Sequence, residues 1–300
     1  MSNAPGSEVP AWYTAALGRR PARDVIDEDG TTIAIRSWGP ESGMPVVLVH
    51  GGAAHAGWWD HIAPLLEGCR VVAMDLSGHG DSAWREEYRM ATWRDEVLAV
   101  LRSGHVRGRP LLVGHSMGGF VGYATARSNA EELAGLLIVD SYFPRREEGE
   151  SWRSARDLPR RIHPDRQTVL DRFRLVPAAP PRAPYVMDHI ARGSVTQVDD
   201  GWSWKFDPRV FAHEGIFLED IEPITGCPVA VVRGDAGLLD DEGAAILASL
   251  VDGTGPAITI ADCGHHVPID QPVALAATIA AAAKAWASHA HLTVTTMGGS

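Results

Sequence analysis

A serine enclosed by glycines is the residue in this sequence best placed to do covalent chemistry. The run Val113-Gly114-His115-Ser116-Met117-Gly118-Gly119 holds the pattern Gly-x-Ser-x-Gly between an apolar run predicted as a strand and a predicted helix. A serine at such a sharp turn is strained and exposed, and the glycines let strand and helix approach closely. The helix beginning at Met117 directs free N–H groups toward an oxyanion formed there. We therefore predict that Ser116 is a nucleophile; the alternative is a glycine-rich helix start with an incidental serine.

A serine hydroxyl is a weak nucleophile, so Ser116 requires a base within hydrogen-bond reach and an acid that orients the base. Thirteen histidines compete for the first role. His265 follows the last predicted strand and therefore projects from the same sheet edge as Ser116. We predict His265 as the base, with its neighbour His266 as the main alternative.

Two aspartates lie at or near predicted strand ends. Asp140 comes directly after the predicted strand 135–139, and Asp235 lies in the loop after a later strand. An aspartate at a strand end can also simply bond nearby backbone N–H groups. Asp240 and Asp241 are interpreted as caps of the next helix.

A glycine pair after another strand could supply hydrogen-bond donors. In Val49-His50-Gly51-Gly52-Ala53 the backbone N–H of Gly52 could face that of Met117 across a substrate oxygen. One such donor contributes about 3 to 4 kcal/mol to transition-state stabilisation. We predict Gly52 and Met117 as an oxyanion hole, the alternative being an ordinary tight turn.

The elements that position these residues follow an alternating pattern. Short β-branched runs alternate with longer helical stretches, which is typical of a mainly parallel sheet. Residues 45–49 and 70–74 are continuously apolar, as strands covered on both faces are. Asp29-Gly30 predicts an antiparallel hairpin between strands 23–27 and 31–38. The other predicted elements are a short helix around Trp59 to Leu66, helices 90–102, 117–128, 241–251 and 271–288, and strands 110–113, 228–232 and 256–260.

The alternation stops between Asp140 and Gly226. Connections inside a compact sheet domain are usually short, so we predict a helical lid over residues 141–220. Its aromatic side chains could line an apolar cleft, and Trp152, Tyr185 and Trp204 are the predicted substrate-binding residues. The alternative is that they attach the lid to the core. The rest divides into an N-terminal extension (1–22), a core (23–140 and 221–288) and a tail (289–300).

The composition excludes several classes of partner. The 300 residues are 45% apolar and carry 27 basic against 38 acidic side chains, a net charge of −11. This charge repels nucleic acid and anionic membranes at long range, so the expected partner is a small molecule, with a homodimer left open. Three cysteines and no visible secretion signal or membrane span indicate a cytoplasmic protein without a disulfide framework.

Two kinds of cofactor site are not expected. His50, His55, Asp60 and His61 lie within twelve residues of one another but lack a recognised metal-ligand spacing. The turn after Val49 lacks the Gly-x-Gly-x-x-Gly spacing of dinucleotide sites. The sequence therefore predicts no metal and no cofactor.

Together, and in this order, these motifs resemble those of the α/β-hydrolase superfamily over about residues 22 to 288. The matching elements are His50-Gly51-Gly52 with Trp59, the loop Asp75-x-x-Gly78-His79-Gly80-x-Ser82, the turn around Ser116, and Gly264-His265. The resemblance implies an α/β fold with an eight-stranded, mostly parallel sheet, a lid after the sixth strand, and a triad in the order Ser, acid, His. The loop 75–82 is interpreted as structural.

The acid departs from the usual pattern of that superfamily. Most members place it three residues after the glycine that ends the seventh strand, where this chain has Gly237. Some lineages use the position after the sixth strand, which favours Asp140 over Asp235.

The expected function is hydrolysis of an ester or lactone of a medium-sized hydrophobic molecule through an acyl-enzyme. Alternatives on the same triad are a carbon–carbon bond hydrolase, a cofactor-free perhydrolase or an acyltransferase. A non-catalytic ligand-binding module is the alternative from a different class.

Overall fold

A mostly parallel eight-stranded sheet forms the centre of the molecule. The computed structural model describes residues 9–148, 159–178, 183–212, 215–250 and 257–288. The sheet strands are β1 (Ala22–Glu28), β2 (Thr31–Trp38), β3 (Met44–Val49), β4 (Cys69–Met74), β5 (Leu111–His115), β6 (Gly135–Val139), β9 (Val229–Ala236) and β10 (Ala257–Gly264), in the spatial order β1-β2-β4-β3-β5-β6-β9-β10. Only β2 pairs antiparallel with its neighbours β1 and β4. The predicted fold class, including the antiparallel hairpin at the edge, is therefore confirmed.

Helices cover both faces of this sheet. Successive residues of a strand point to opposite faces, and Val47 and Val49 pack with α2 (Met90–Arg102) and α3 (Met117–Asn129). Val46 and Leu48 point the other way and pack against α8 (Pro272–Trp286). Because all four side chains are fully buried, β3 is an apolar run, as expected of a strand covered on both faces.

The remaining helices are shorter. They are α1 (Ala11–Gly18), α4 (Arg166–Leu170), α5 (Pro184–Gly193), α6 (Asp241–Leu250) and α7 (Val267–Asp270). The bounds of α2 agree with the predicted helix. No helix within the described ranges is both long enough and apolar enough to span a membrane.

The short helix predicted around Trp59 to Leu66 is wrong. The structure has two 3₁₀ turns there, Ala56–Trp59 and Ala63–Leu65. Pro64 lies in the first turn of the second, where it lacks the N–H that a continuing α-helix needs.

The segment between β6 and β9, which we call the insertion (residues 140–228), is not purely helical. Besides α4 and α5 it holds an antiparallel hairpin of β7 (Val195–Val198) and β8 (Gly201–Trp204). The turn is Asp199-Asp200, and Gly201, the first residue of β8, has a φ of 144° that favours glycine. The prediction of a helical segment is corrected accordingly. Trp152 and the predicted tail 289–300 lie outside the described residues.

The sheet brings four loops to one edge. β3, β5, β6 and β10 run in the same direction, so the residues after their carboxyl ends share that edge. These are Gly52, Ser116, Asp140 and His265, which are the residues that the sequence singled out.

Candidate active site

Ser116 sits in a strained turn between β5 and α3. Its φ of 54° and ψ of −119° lie outside the regions that side chains prefer. Its N–H donates to the carbonyl of Val139 at 2.9 Å, which holds the turn in place. A Cβ at Gly114 would lie 2.1 Å from the carbonyl oxygen of Gly118, so this approach of strand and helix requires glycine.

His265 links Ser116 to a buried carboxylate. Its Nδ1 lies 2.7 Å from Oδ2 of Asp140, and its Nε2 lies 3.1 Å from Oγ of Ser116. A carboxylate oxygen accepts, so Nδ1 carries the proton and Nε2 is left to accept the serine hydroxyl. The side chains of His265 and Asp140 are only 5% and 0% exposed, which shields the pair from water.

Asp140 is oriented by the backbone of a neighbouring loop. Its Oδ1 accepts from the N–H of Gly234 at 3.2 Å, and its Oδ2 accepts from the N–H of Leu238 at 2.9 Å. Asp140 also adopts a positive φ of 43°. These contacts turn its carboxylate toward His265.

The competing aspartate, Asp235, has a different set of contacts. Its oxygens accept the N–H groups of Asp262 and Cys263 at 2.8 Å each, just before His265. The oxygen beside His265 Nδ1 thus comes from Asp140. A Cβ at Gly237 would lie 2.1 Å from Asp140 Oδ1, so the Asp140 carboxylate fills the space where a side chain at 237 would start.

The loop after β3 lies against the serine. A Cβ at Gly51 would be 3.1 Å from Cβ of Ser116, and one at Gly52 would be 3.8 Å from Sδ of Met117. The N–H of Gly52 makes no hydrogen bond to any residue in the described ranges. Met117 is the first residue of α3, whose N–H has no acceptor within the helix. Within the described ranges neither N–H has an acceptor, so both predicted donors are available to an oxygen.

A cavity of about 810 Å³ borders Ser116 and His265. Trp204, predicted from sequence, forms part of its wall, and its ring lies 6.0 Å from that of Phe173. Wall residues that sequence reasoning missed are Trp58, Phe120, Tyr142, Phe206 and Leu238. Two of them had a signal: Phe120 is one helical turn from Ser116, and Tyr142 is two residues after Asp140.

Tyr185 does not contribute to the cavity wall that the described residues form. Its ring packs against Tyr13 of α1 with centroids 4.6 Å apart, and the Tyr13 hydroxyl donates to the carbonyl of Tyr185 at 3.1 Å. Its predicted substrate contact is corrected: Tyr185 attaches α5 to the N-terminal helix. Trp152, the third predicted residue, lies outside the described ranges.

The histidines weighed as metal ligands serve the scaffold. His50 accepts from the N–H of Leu76 through Nε2 at 3.1 Å, and its Nδ1 lies 2.7 Å from the carbonyl of Gly51. His61 donates through Nε2 to the carbonyl of Pro268 at 2.8 Å. Burial lowers the pKa of both His55 and His61 to about 4.

The loop 75–82 is structural, as predicted. The Asp75 carboxylate accepts the N–H groups of Ala56 at 2.6 Å and Asp81 at 2.9 Å. The Ser82 hydroxyl donates to the carbonyl of Asp75 at 2.6 Å. The polar groups of this loop thus brace the turn that follows β4.

Comparisons with known proteins agree with this geometry. The model of the "Alpha/beta hydrolase family" matches residues 46–278. The esterase Rv0045c of Mycobacterium tuberculosis is 30% identical over 257 residues, which cover 82% of this chain and 84% of that protein. The bifunctional esterase/perhydrolase DCH of Acinetobacter calcoaceticus is 33% identical over 166 residues, covering 52% and 59%.

A solved structure of the same mycobacterial esterase shares the fold. It comes from work on transition metal inhibition of that esterase. The two structures superpose with a TM-score of 0.73 at 24% identity, covering 90% of this chain and 95% of the other.

Proposed function

Because this chain belongs to the α/β hydrolase family, we propose that it is a serine hydrolase that cleaves a carboxylic ester or lactone through an acyl-enzyme. The observation that carries the proposal is the chain of hydrogen bonds from Asp140 through His265 to Ser116, which ends at the cavity. The esterase named among its relatives supports ester hydrolysis.

The geometry supports a reaction in two halves. Ser116 Oγ attacks the carbonyl carbon while its proton passes to Nε2 of His265, and Asp140 stabilises the imidazolium. The N–H groups of Gly52 and Met117 hold the developing oxyanion. His265 then gives the proton to the leaving alcohol oxygen. In the second half, a water deprotonated by His265 attacks the acyl-enzyme, and the acid leaves as Ser116 recovers its proton.

The cavity favours a medium-sized, hydrophobic substrate. Its volume of about 810 Å³ lies within the range of small-molecule sites. Aromatic rings, including those of Trp58, Phe120 and Trp204, make up much of its wall. We propose that the insertion acts as a lid over this cavity and excludes water from the bound ester.

The first experiment assays esters of increasing acyl length, lactones and vinylogous diketones with the wild type and Ser116→Ala. Removing the nucleophile is expected to lower kcat by roughly a million-fold. Ser249→Ala is the matched control, because Ser249 lies exposed on α6 and its hydroxyl donates to the carbonyl of Ile246. Full activity of Ser116→Ala would end the proposal. Turnover of diketones alone would instead support a carbon–carbon bond hydrolase.

A second experiment separates an enzyme from a binding module. A fluorophosphonate probe reacts with an activated serine, so it is expected to label the wild type and not Ser116→Ala. An unlabelled wild type that still binds esters would support the binding module. Adding hydrogen peroxide to the ester assay tests for peracid formation, which the relationship to an esterase/perhydrolase suggests.

A further inference from the structure

Three buried histidines meet beneath the candidate active site. They are His115, which precedes Ser116, His265, and His266. One ring nitrogen of each lies within 4.8 Å of the corresponding nitrogens of the other two. The ring centroid of His265 is 5.0 Å from that of His115 and 4.9 Å from that of His266. The proposed function uses only His265, which leaves the other two unexplained.

Each ring has one nitrogen already committed to an acceptor. His265 Nδ1 donates to Asp140, His115 Nε2 donates to the carbonyl of His265 at 2.9 Å, and His266 Nε2 donates to the carbonyl of Pro177 at 3.1 Å. The tautomers are therefore fixed, and each ring keeps one nitrogen with a lone pair. Histidines that bind metal ions almost always donate their other N–H to a carboxylate or carbonyl in this way.

His266 supplies an independent observation. Its Nδ1 is buried and has no hydrogen-bond partner among the residues that the structure describes, although the residue is only 4% exposed. A buried acceptor left unpaired is costly, so a ligand at this nitrogen would relieve a penalty.

Both unexplained histidines are prepared as ligands. The ring of each donates through Nε2 to a carbonyl and keeps a lone pair on Nδ1, and a metal ion binds such a lone pair. His265 and His266 border the cavity, which gives an ion a route in and leaves room for a water ligand.

We propose that His115, His265 and His266 form an inhibitory site for a divalent transition metal ion such as Zn²⁺, Cu²⁺ or Ni²⁺. Imidazole nitrogen suits these ions, whereas Mg²⁺ and Ca²⁺ prefer oxygen ligands. Zinc bonds to nitrogen at about 2.0 to 2.1 Å, which puts tetrahedral ligand atoms about 3.4 Å apart. Binding therefore draws the rings together and occupies Nε2 of His265, which can then no longer accept the proton of Ser116.

The binding test uses Ser116→Ala, which keeps all three histidines and does not depend on turnover. Calorimetric titration with Zn²⁺ is expected to show one site per chain, and Mg²⁺ is expected to show none. His266→Gln and His115→Gln each keep an Nε2–H donor but lose the Nδ1 lone pair. Each is expected to weaken zinc binding at least about tenfold. His61→Gln, which alters a buried histidine outside the cluster, is the matched control, and circular dichroism checks that every variant folds.

The inhibition test rests on the proposed function. Zn²⁺ is expected to inhibit the wild-type esterase reversibly, with activity recovered on adding EDTA. His266→Gln is expected to be inhibited less, when the rate of each protein with Zn²⁺ is divided by its own rate without metal. Absence of zinc binding to Ser116→Ala would overturn the site. Equal binding by all three glutamine variants would mean an adventitious ion only, and would overturn it as well. Zinc binding that depends on His266 in a chain without esterase activity would uphold the site while the proposed function fails.

Discussion

At the scale of single residues, the two candidate aspartates have different roles: one orients His265 and the other supports the loop that leads to it. Asp140 offers an oxygen to Nδ1 of His265, whereas Asp235 holds two backbone N–H groups of the turn that leads to His265. Spacing in the sequence could not choose between them, because Asp140 follows β6, Asp235 lies near the carboxyl end of β9, and both strands end at the same sheet edge. The choice depends on side-chain directions that only the folded loops determine.

Replacing the two aspartates one at a time measures this division. Asp140→Asn is expected to lower kcat by about ten-thousand-fold, because an amide no longer fixes the tautomer or balances the imidazolium charge. Asp235→Asn is expected to lower the Tm more than kcat, since one of its two backbone contacts is weakened. Ester kinetics and thermal melts of both variants are the measurement, and a greater loss of kcat at Asp235 would contradict the assignment.

At the scale of elements, the two halves of the insertion have different contacts. α5 packs on α1 through Tyr185, Val186 and Ile190, in a small apolar cluster with Tyr13. β8 instead presents Trp204 to the cavity. We therefore expect changes in β8 to alter substrate preference and changes in α5 to alter stability.

A pair of aromatic truncations tests this separation. Trp204→Ala is expected to lower kcat/KM for long-chain esters at least about tenfold, because apolar contact with the substrate is lost. Short-chain esters should be affected less. Tyr185→Ala is the matched comparison and is expected to lower the Tm while the chain-length profile is retained. The same shift of that profile in both variants would contradict the different roles.

The elements show what local sequence can and cannot predict. β3 and α2 were predictable because the spacing of the apolar residues in each segment agrees with the side chains that are buried. In each, this spacing also agrees with the preference of the segment for strand or for helix. The hairpin β7–β8 was missed because each of its strands has only four residues, which is too short for a clear alternation of apolar and polar side chains. Tyr185 could not be assigned, since its partner Tyr13 lies 172 residues away. Ser116 and His265 were predictable because strand ends of a parallel sheet share one edge.

At the scale of the whole molecule, buried histidines make stability depend on pH. The folded protein holds the pKa of His55 and of His61 at about 4, below the value near 6.5 of an exposed histidine. As the pH falls from about 6.5 toward 4, the unfolded chain binds protons that the folded chain refuses, so stability is lost. Each such histidine lowers the free energy of unfolding by about 2 kcal/mol at pH 5 relative to neutral pH.

Urea unfolding between pH 7 and pH 4.5 measures the effect. His61→Gln keeps a donor for the carbonyl of Pro268 but does not titrate. The free energy of unfolding of this variant is therefore expected to fall less steeply with pH, with a slope smaller than that of the wild type by up to about 1.4 kcal/mol per pH unit. His105→Gln is the control, because the side chain of His105 is 28% exposed. An identical slope in wild type and His61→Gln would contradict this origin of acid sensitivity.

A Cβ at position 237 and the Asp140 carboxylate would occupy the same space, so a side chain at 237 requires that carboxylate to shift. A variant with an acidic side chain at 237 beside Asp140 would have steric conflict in this loop. A variant that lost the Asp140 carboxylate first would leave the imidazole of His265 without a counterion. We therefore expect residues 140 and 237 to change together wherever the acid changes its position. Homologous sequences are accordingly expected to covary at these two positions, with glycine at 237 wherever aspartate is at 140.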